Sequence, residues 1–250
     1  MGTALLLSTL AGLATTFGSL LGLAVRRPGP RFMAFVLGFS AGVMVLVSFI
    51  ELLPAGIESL GLLLAVAVFL GAMLLMFLID VAVPHDYIAE HHVAERKGRS
   101  PDLLRTGVFI ALGIGIHNFP EGMAAFVGTL RDVGLGVSLA VAVGLHNIPE
   151  GLAVSLPIYA ATGSRRRAFL WSFLSGVAEP LGALVAALLI GPVLSPALLG
   201  WMLAAVAGVM VFISLDELVP VASSYGHEHL SIVGVIFGMA AMAFSLWLLK

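Results

Sequence analysis

Apolar runs of about twenty residues recur along the whole chain, and this recurrence restricts the possible folds more than any other feature. A soluble helical core would need charge to cover its outer surface. Here 60% of the 250 residues are hydrophobic, 10% are charged, and the mean hydropathy is +1.11. In hydrocarbon every backbone N–H and C=O must be paired inside the protein, and apolar runs of this length read as transmembrane α-helices. The chain is therefore expected to be an all-α integral membrane protein of a single transmembrane domain. Eight spans are predicted, at residues 3–25, 32–53, 58–80, 104–129, 134–159, 168–190, 196–221 and 230–249, with 81–103 left as a connecting loop.

Basic residues orient these spans. With the N-terminus outside, the cytoplasmic connections carry Arg26, Arg27, Arg31, Arg96, Lys97, Arg99, Arg105, Arg165, Arg166 and Arg167, while only Arg131 and Lys250 fall on the other face. Cytoplasmic loops collect Lys and Arg, so this bias puts both termini on the extracellular or periplasmic side of a multi-pass plasma-membrane protein. Adding or removing one helix would scatter the same charges over both faces. No basic residue precedes the first run, so it is expected to be a span and not a cleavable signal. With a net charge of −2 and no long basic run, no nucleic-acid partner is expected, and the surrounding lipid bilayer is.

An internal repeat divides the chain. Ala41-Gly42-Val43-Met44-Val45 recurs as Ala207-Gly208-Val209-Met210-Val211, and the match continues through Ser48 with Ser214, Glu51 with Glu217, Leu52 with Leu218 and Pro54 with Pro220. A weaker echo links Leu10-Ala11-Gly12-Leu13-Ala14 with Leu174-Ser175-Gly176-Val177-Ala178. Because the second span runs outward and the seventh inward, spans one to three and six to eight form inverted repeats around a central pair, a 3+2+3 arrangement. Inverted repeats with discontinuous helices at their interface characterise transporters that bind substrate near the bilayer midplane.

The central pair carries the chemistry. His117-Asn118-Phe119-Pro120-Glu121-Gly122 in the fourth span returns twenty-nine residues later as His146-Asn147-Ile148-Pro149-Glu150-Gly151 in the fifth. An ionisable side chain at mid-membrane costs from about 3 to more than 10 kcal/mol, so such residues mark sites or pathways. His and Glu four apart share one helix face about 6 Å apart along the axis. The missing N–H of Pro120 and Pro149 frees the carbonyls of Ile116 and Leu145 and is expected to bend both helices. Antiparallel pairing can then gather two imidazoles, two carboxylates and two amides, a donor set suited to first-row divalent ions. The chain has no cysteine, so thiolate ligands and disulfides are excluded.

The paired His-Asn-x-Pro-Glu-Gly helices in an eight-span chain with both termini outside resemble the ZIP family of divalent metal transporters, in particular its bacterial and archaeal members. The resemblance covers essentially the whole chain. It implies a binuclear metal centre between the fourth and fifth spans. One ion would be held by His117, Glu121, His146 and Glu150, with Met44 nearby. The other would be held by Asn118, Glu121, Asn147, Glu150 and Glu179, with both motif carboxylates bridging. Thr15 falls opposite Glu179 in the weaker echo, so this carboxylate has no acidic counterpart and the centre should be asymmetric. The resemblance also implies an elevator-type motion of spans one, four, five and six against the rest, and a homodimer.

The function expected is import of zinc, with iron, manganese and cadmium as further cargoes. The metal is substrate, and no organic cofactor is expected. No phosphate-binding loop is present to drive import with nucleotide. A zinc-dependent intramembrane hydrolase is the alternative, weakened by the lack of a His-Glu-x-x-His sequence. Outside the centre, Glu51, Asp216 and Glu217 near span ends read either as an ion relay or as interfacial carboxylates. His85, His91, His92, His227 and His229, in connections assigned to the cytoplasm, read either as metal-handling groups or as solvated loop residues.

Overall fold

A computed structural model describes residues 1–24, 29–82, 101–189 and 195–249. Among these residues the protein is all helical, in eight rods: α1 (Gly2–Ala24), α2 (Pro30–Leu60), α3 (Leu62–Ala82), α4 (Pro101–Arg131), α5 (Val133–Thr162), α6 (Arg165–Leu189), α7 (Pro196–Ser224) and α8 (Glu228–Leu249). Among the described residues, seven of these helices are long and apolar enough to cross a membrane. Their ends are chemically marked. Gly61, the one residue between α2 and α3, has φ 79°, a conformation that costs glycine least. Asp132 caps α5 by accepting from the Leu135 N–H at 2.9 Å, and Gly163 closes it at φ 66°.

One detail departs from the sequence expectation. The second helix does not stop at residue 53 but runs to Leu60, so the third begins at Leu62. Pro54 should have broken it. Instead the turn before it, Ser48–Leu52, is π-helical, with Leu53 N–H reaching back five residues to Ser48 O. That widened turn accommodates the proline ring and lets the helix continue. The same device recurs at Ser214–Leu218, where Val219 N–H bonds Ser214 O just before Pro220. In both copies the serine hydroxyl donates 2.7 Å to a carbonyl one turn earlier, Met44 O and Met210 O. The rods α4, α5 and α6 run unbroken through Pro120, Pro149, Pro157 and Pro180, as the uninterrupted spans expected there require.

Glycines set how the rods pack. In lipid the association of helices rests on close van der Waals contact, which small residues permit. A Cβ placed on Gly122 would stand 1.9 Å from Glu179 O, and one on Gly182 2.0 Å from Phe119 O, so α4 and α6 touch backbone to backbone. The α5–α1 seam is built identically, with Gly151 against Thr15 O and Gly18 against Ile148 O, both at 2.0 Å. Thr15 and Glu179 are the residues paired by the weaker sequence echo, as are Gly18 and Gly182. Gly12 and Gly176, likewise paired, face each other's carbonyls at 2.6 and 2.7 Å. Gly42 meets Val235 O at 2.1 Å, and Gly208, its equivalent in the stronger repeat, meets Phe69 O at 2.2 Å. The internal duplication is therefore a pseudo-symmetry of packing as well as of sequence.

Contact is dense among α1, α4, α5 and α6, and separately between α2 and α8 and between α3 and α7. Across the two groups it is sparser, chiefly α2 with α5 and α4 with α7. A polar bridge crosses the groups at the end of α4. The Arg131 guanidinium binds the Glu58 carboxylate and the Ala55 carbonyl, and donates 2.8 Å to Ser59 Oγ, all on α2.

Candidate metal centre

The motif helices meet as antiparallel neighbours, with Thr129 of α4 against Gly136 of α5 at one end and Glu121 beside His146 farther along. Asn118, Glu121, His146, Asn147, Glu150 and Glu179 are all completely buried. His146 Nε2 lies 3.1 Å from Glu121 Oε2 across the α4–α5 seam. The Asn147 amide donates 2.9 Å to Ala11 O and also to the Glu179 carboxylate. The Asn118 amide donates 3.2 Å to Ser175 O on α6. Glu121 and Glu150 are close enough to Glu179 to interact with its charge. Four helices, α1, α4, α5 and α6, thus surround one polar cluster inside an apolar bundle.

The backbone around the cluster is fixed by residues that the sequence reading passed over. Ser8 Oγ donates 3.3 Å to Glu179 O, and Ser172 Oγ donates 3.5 Å to Thr15 O, a second pair related by the weaker echo. Ser40 of α2 donates 3.2 Å to His146 O. A buried serine in each copy of the weak repeat was the available signal, but a hydroxyl on a helix gives no hint of its partner until the packing is known.

The unsatisfied atoms indicate what the cluster can take. Asn118 Oδ1, Glu121 Oε1, Asn147 Oδ1 and Glu179 Oε2 are buried acceptors with no hydrogen-bond partner among the described residues. Leaving such groups unpaired costs roughly 1–3 kcal/mol each, and more when charged. Acceptor oxygens with an imidazole beside them, and no cationic side chain among the contacts just described, form a donor set for a hard or borderline cation. Yet among the described residues no three His, Asp or Glu side chains are drawn together closely enough to hold an ion. The partners in place, His146 with Glu121 and Asn147 with Glu179, are those an incoming cation would have to exchange. The side chain of His117 lies outside the described residues. Met44 is fully buried in the main apolar core, in the same packed cluster as Leu37, Leu203 and Met210. His85, His91 and His92 also lie outside the described residues. His229 is exposed and His227 half-buried, flanking the start of α8.

Fold and site together define a multi-pass helical membrane protein with an acidic, imidazole-bearing centre buried in its bundle. A model of the ZIP zinc transporter family matches residues 89–246. A zinc transporter ZupT of Chlorobium phaeovibrioides is 52% identical over 259 residues, covering 98% of this chain and 97% of its own. Those of Oceanobacillus iheyensis and Streptococcus mutans are 51% and 48% identical, each with 98% of this chain and 97% of the relative covered. The chain belongs to the ZIP family of zinc transporters, which are transporters and not enzymes. It is accordingly a multi-pass protein of the plasma membrane, and the hydrolase alternative falls away.

Proposed function

We propose that the chain imports zinc into the cytoplasm through a binuclear site between α4 and α5. The observation that carries this is the convergence of fully buried carboxylates and amides, of which Asn118 Oδ1, Glu121 Oε1, Asn147 Oδ1 and Glu179 Oε2 have no donor among the described residues. In the order implied by the motif, His117, Glu121, His146 and Glu150 hold one ion, with Met44 nearby. Asn118, Glu121, Asn147, Glu150 and Glu179 hold the other. The named relatives, all zinc transporters, support zinc first. Iron, manganese and cadmium share enough coordination chemistry to compete.

Eight spans, with both termini outside, fit the way the rods run beside one another. Contacts at Gly18 with Ile148 and Gly22 with Leu152 make α1 parallel to α5, and Gly115 with Ser175 and Gly122 with Glu179 make α4 parallel to α6. Strict alternation of direction along the chain yields these pairings when α4 crosses the bilayer like the others, and its 31 residues reach about 46 Å. The dense group α1, α4, α5 and α6 then moves as a carrier against α2, α3, α7 and α8, and the working assembly is a homodimer. An inside-negative potential contributes about 2.3 kcal/mol per charge per 100 mV, hence roughly 4.6 for a divalent ion. That suffices for more than about a thousandfold accumulation without other coupling.

The test is uptake of radioactive zinc by proteoliposomes under an imposed inside-negative potential. Native protein should show saturable uptake that rises with the potential, and Glu121→Ala should show none. Equal uptake by the two, or indifference to the potential, would remove the site or the driving force respectively.

A further inference from the structure

The seam between α2 and the α1–α5 pair contains a cavity of about 420 Å³ whose wall is entirely apolar. Val36 and Phe39 of α2 line it on one side, Leu145, Ile148 and Leu152 of α5 on the other, and Phe32 and Leu21 at one end. On α5 the residues 145, 148, 149 and 152 form one stripe at helical spacing, turned by roughly 130° from the face that carries His146 and Glu150. The cavity and the metal centre therefore face different sides of α5. A cation has no ligand here and would lose its hydration for nothing, so the cavity is no part of the metal path.

Its depth and ends match half of a bilayer. Phe39 is adjacent to Ser40, which bonds His146 O, so the deep end lies level with the metal centre. From Phe39 to Phe32 is seven residues, about 10 Å, two-thirds of the ~15 Å hydrocarbon depth of one leaflet. At the shallow end Leu21 and Phe32 are 40% and 49% exposed, so the cavity opens onto the outer surface of the bundle there. Exposed Arg31 stands next to Phe32 in the first turn of α2, and Arg26 and Arg27 precede it in sequence. At about 30 Å³ per small group, the volume holds on the order of a dozen methylenes.

We propose that this seam binds a phospholipid of the cytoplasmic leaflet, with one acyl chain in the cavity and an anionic phosphate at Arg31. The orientation rests on the transporter topology proposed above. Moving a chain from bulk lipid into an apolar cavity gains no hydrophobic free energy, so retention depends on the fit and on the headgroup. Anionic lipid is held and zwitterionic lipid exchanges. Because α2 belongs to one packed group and α1 and α5 to the other, the occupant wedges the surface along which the two groups slide.

The experiment uses full-length protein in phosphatidylcholine nanodiscs doped with a phosphatidylglycerol whose acyl chain carries a photoreactive diazirine. The same probe on phosphatidylcholine serves as comparison, and adducts are mapped by mass spectrometry. Adducts from the anionic probe should concentrate on residues 32–39 and 145–152, several-fold above those from the zwitterionic probe. Arg31→Gln should erase that preference, and Val36→Trp should fill the cavity and reduce labelling by both probes. Zinc binding, measured by calorimetry, should survive in both variants and certifies their folding; Val36→Phe serves where Val36→Trp does not fold. Labelling spread evenly over the exposed helix faces, meaning annular lipid only, would overturn the proposal. So would labelling indifferent to both variants, or a second copy of the chain cross-linked over residues 32–39 in place of lipid. Zinc uptake by the same preparation in liposomes reports separately on the transport reading.

Discussion

At the centre, His146 is held by Glu121 and Asn147 by Glu179, contacts that an incoming metal would exchange. Asn147 directs its amide protons to Ala11 O and to one oxygen of Glu179, so that oxygen is partnered without a cation. Asn147→Asp removes those donors and sets another carboxylate beside Glu179. The metal-free protein should lose roughly 1–3 kcal/mol of stability, and zinc should restore more than it does in the native chain. Thermal unfolding in detergent with and without zinc measures this, and an unchanged zinc-induced rise in Tm would contradict it. Glu121→Gln keeps the shape of the side chain but loses the charge beside His146, and should weaken zinc binding by more than about tenfold, read by calorimetry. Since imidazole must be neutral and carboxylate ionised to bind metal, initial uptake at fixed potential should fall as the pH is lowered.

At the level of the helix, glycine rather than hydrophobic burial decides which faces meet. The backbones of α4 and α6, and of α5 and α1, approach so closely that a methyl group would overlap a carbonyl oxygen at 1.9–2.0 Å. Gly122→Ala and Gly151→Ala should therefore each cost more than the usual 1–3 kcal/mol of overpacking, because the obstacle is backbone and cannot rotate away. Gly71 on α3 has nothing within 4 Å of its would-be Cβ, so Gly71→Ala should be neutral or stabilising by up to about 1 kcal/mol. Comparison of Tm for the three variants tests the claim. The π-turns carry a related lesson: a proline six residues after a serine does not end a helix when the turn between them widens.

At the scale of the whole molecule, the two groups of helices meet through few contacts, and the Arg131 bridge to Glu58, Ser59 and Ala55 ties them at one end. If α4 slides past α2 during transport, this bridge breaks in every cycle. The chain contains no cysteine, so Glu58→Cys with Arg131→Cys gives a pair with no background thiol. A short cleavable bifunctional maleimide should stop zinc uptake in the double variant, spare either single variant, and allow uptake again after cleavage. Full uptake by the cross-linked protein would show that the groups need not move. Exposed salt bridges contribute only about 0–1 kcal/mol, so loss of this one should leave Tm nearly unchanged.

The recurring apolar runs alone determined that the chain lives in a bilayer as a set of helices, because about twenty apolar residues match the length of a spanning helix and not of a spanning strand. The doubled motif likewise named the chemistry, since ionisable groups are too costly at mid-membrane to be incidental. What sequence could not supply was any quantity that depends on which face meets which. The serines behind Glu179 and His146, Ser8 and Ser40, find their partners in helices distant along the chain. The pairing of Gly122 with Glu179 and of Gly151 with Thr15 was implicit in the weak echo but unreadable there. A repeat specifies that two segments are alike, whereas close packing decides where they touch.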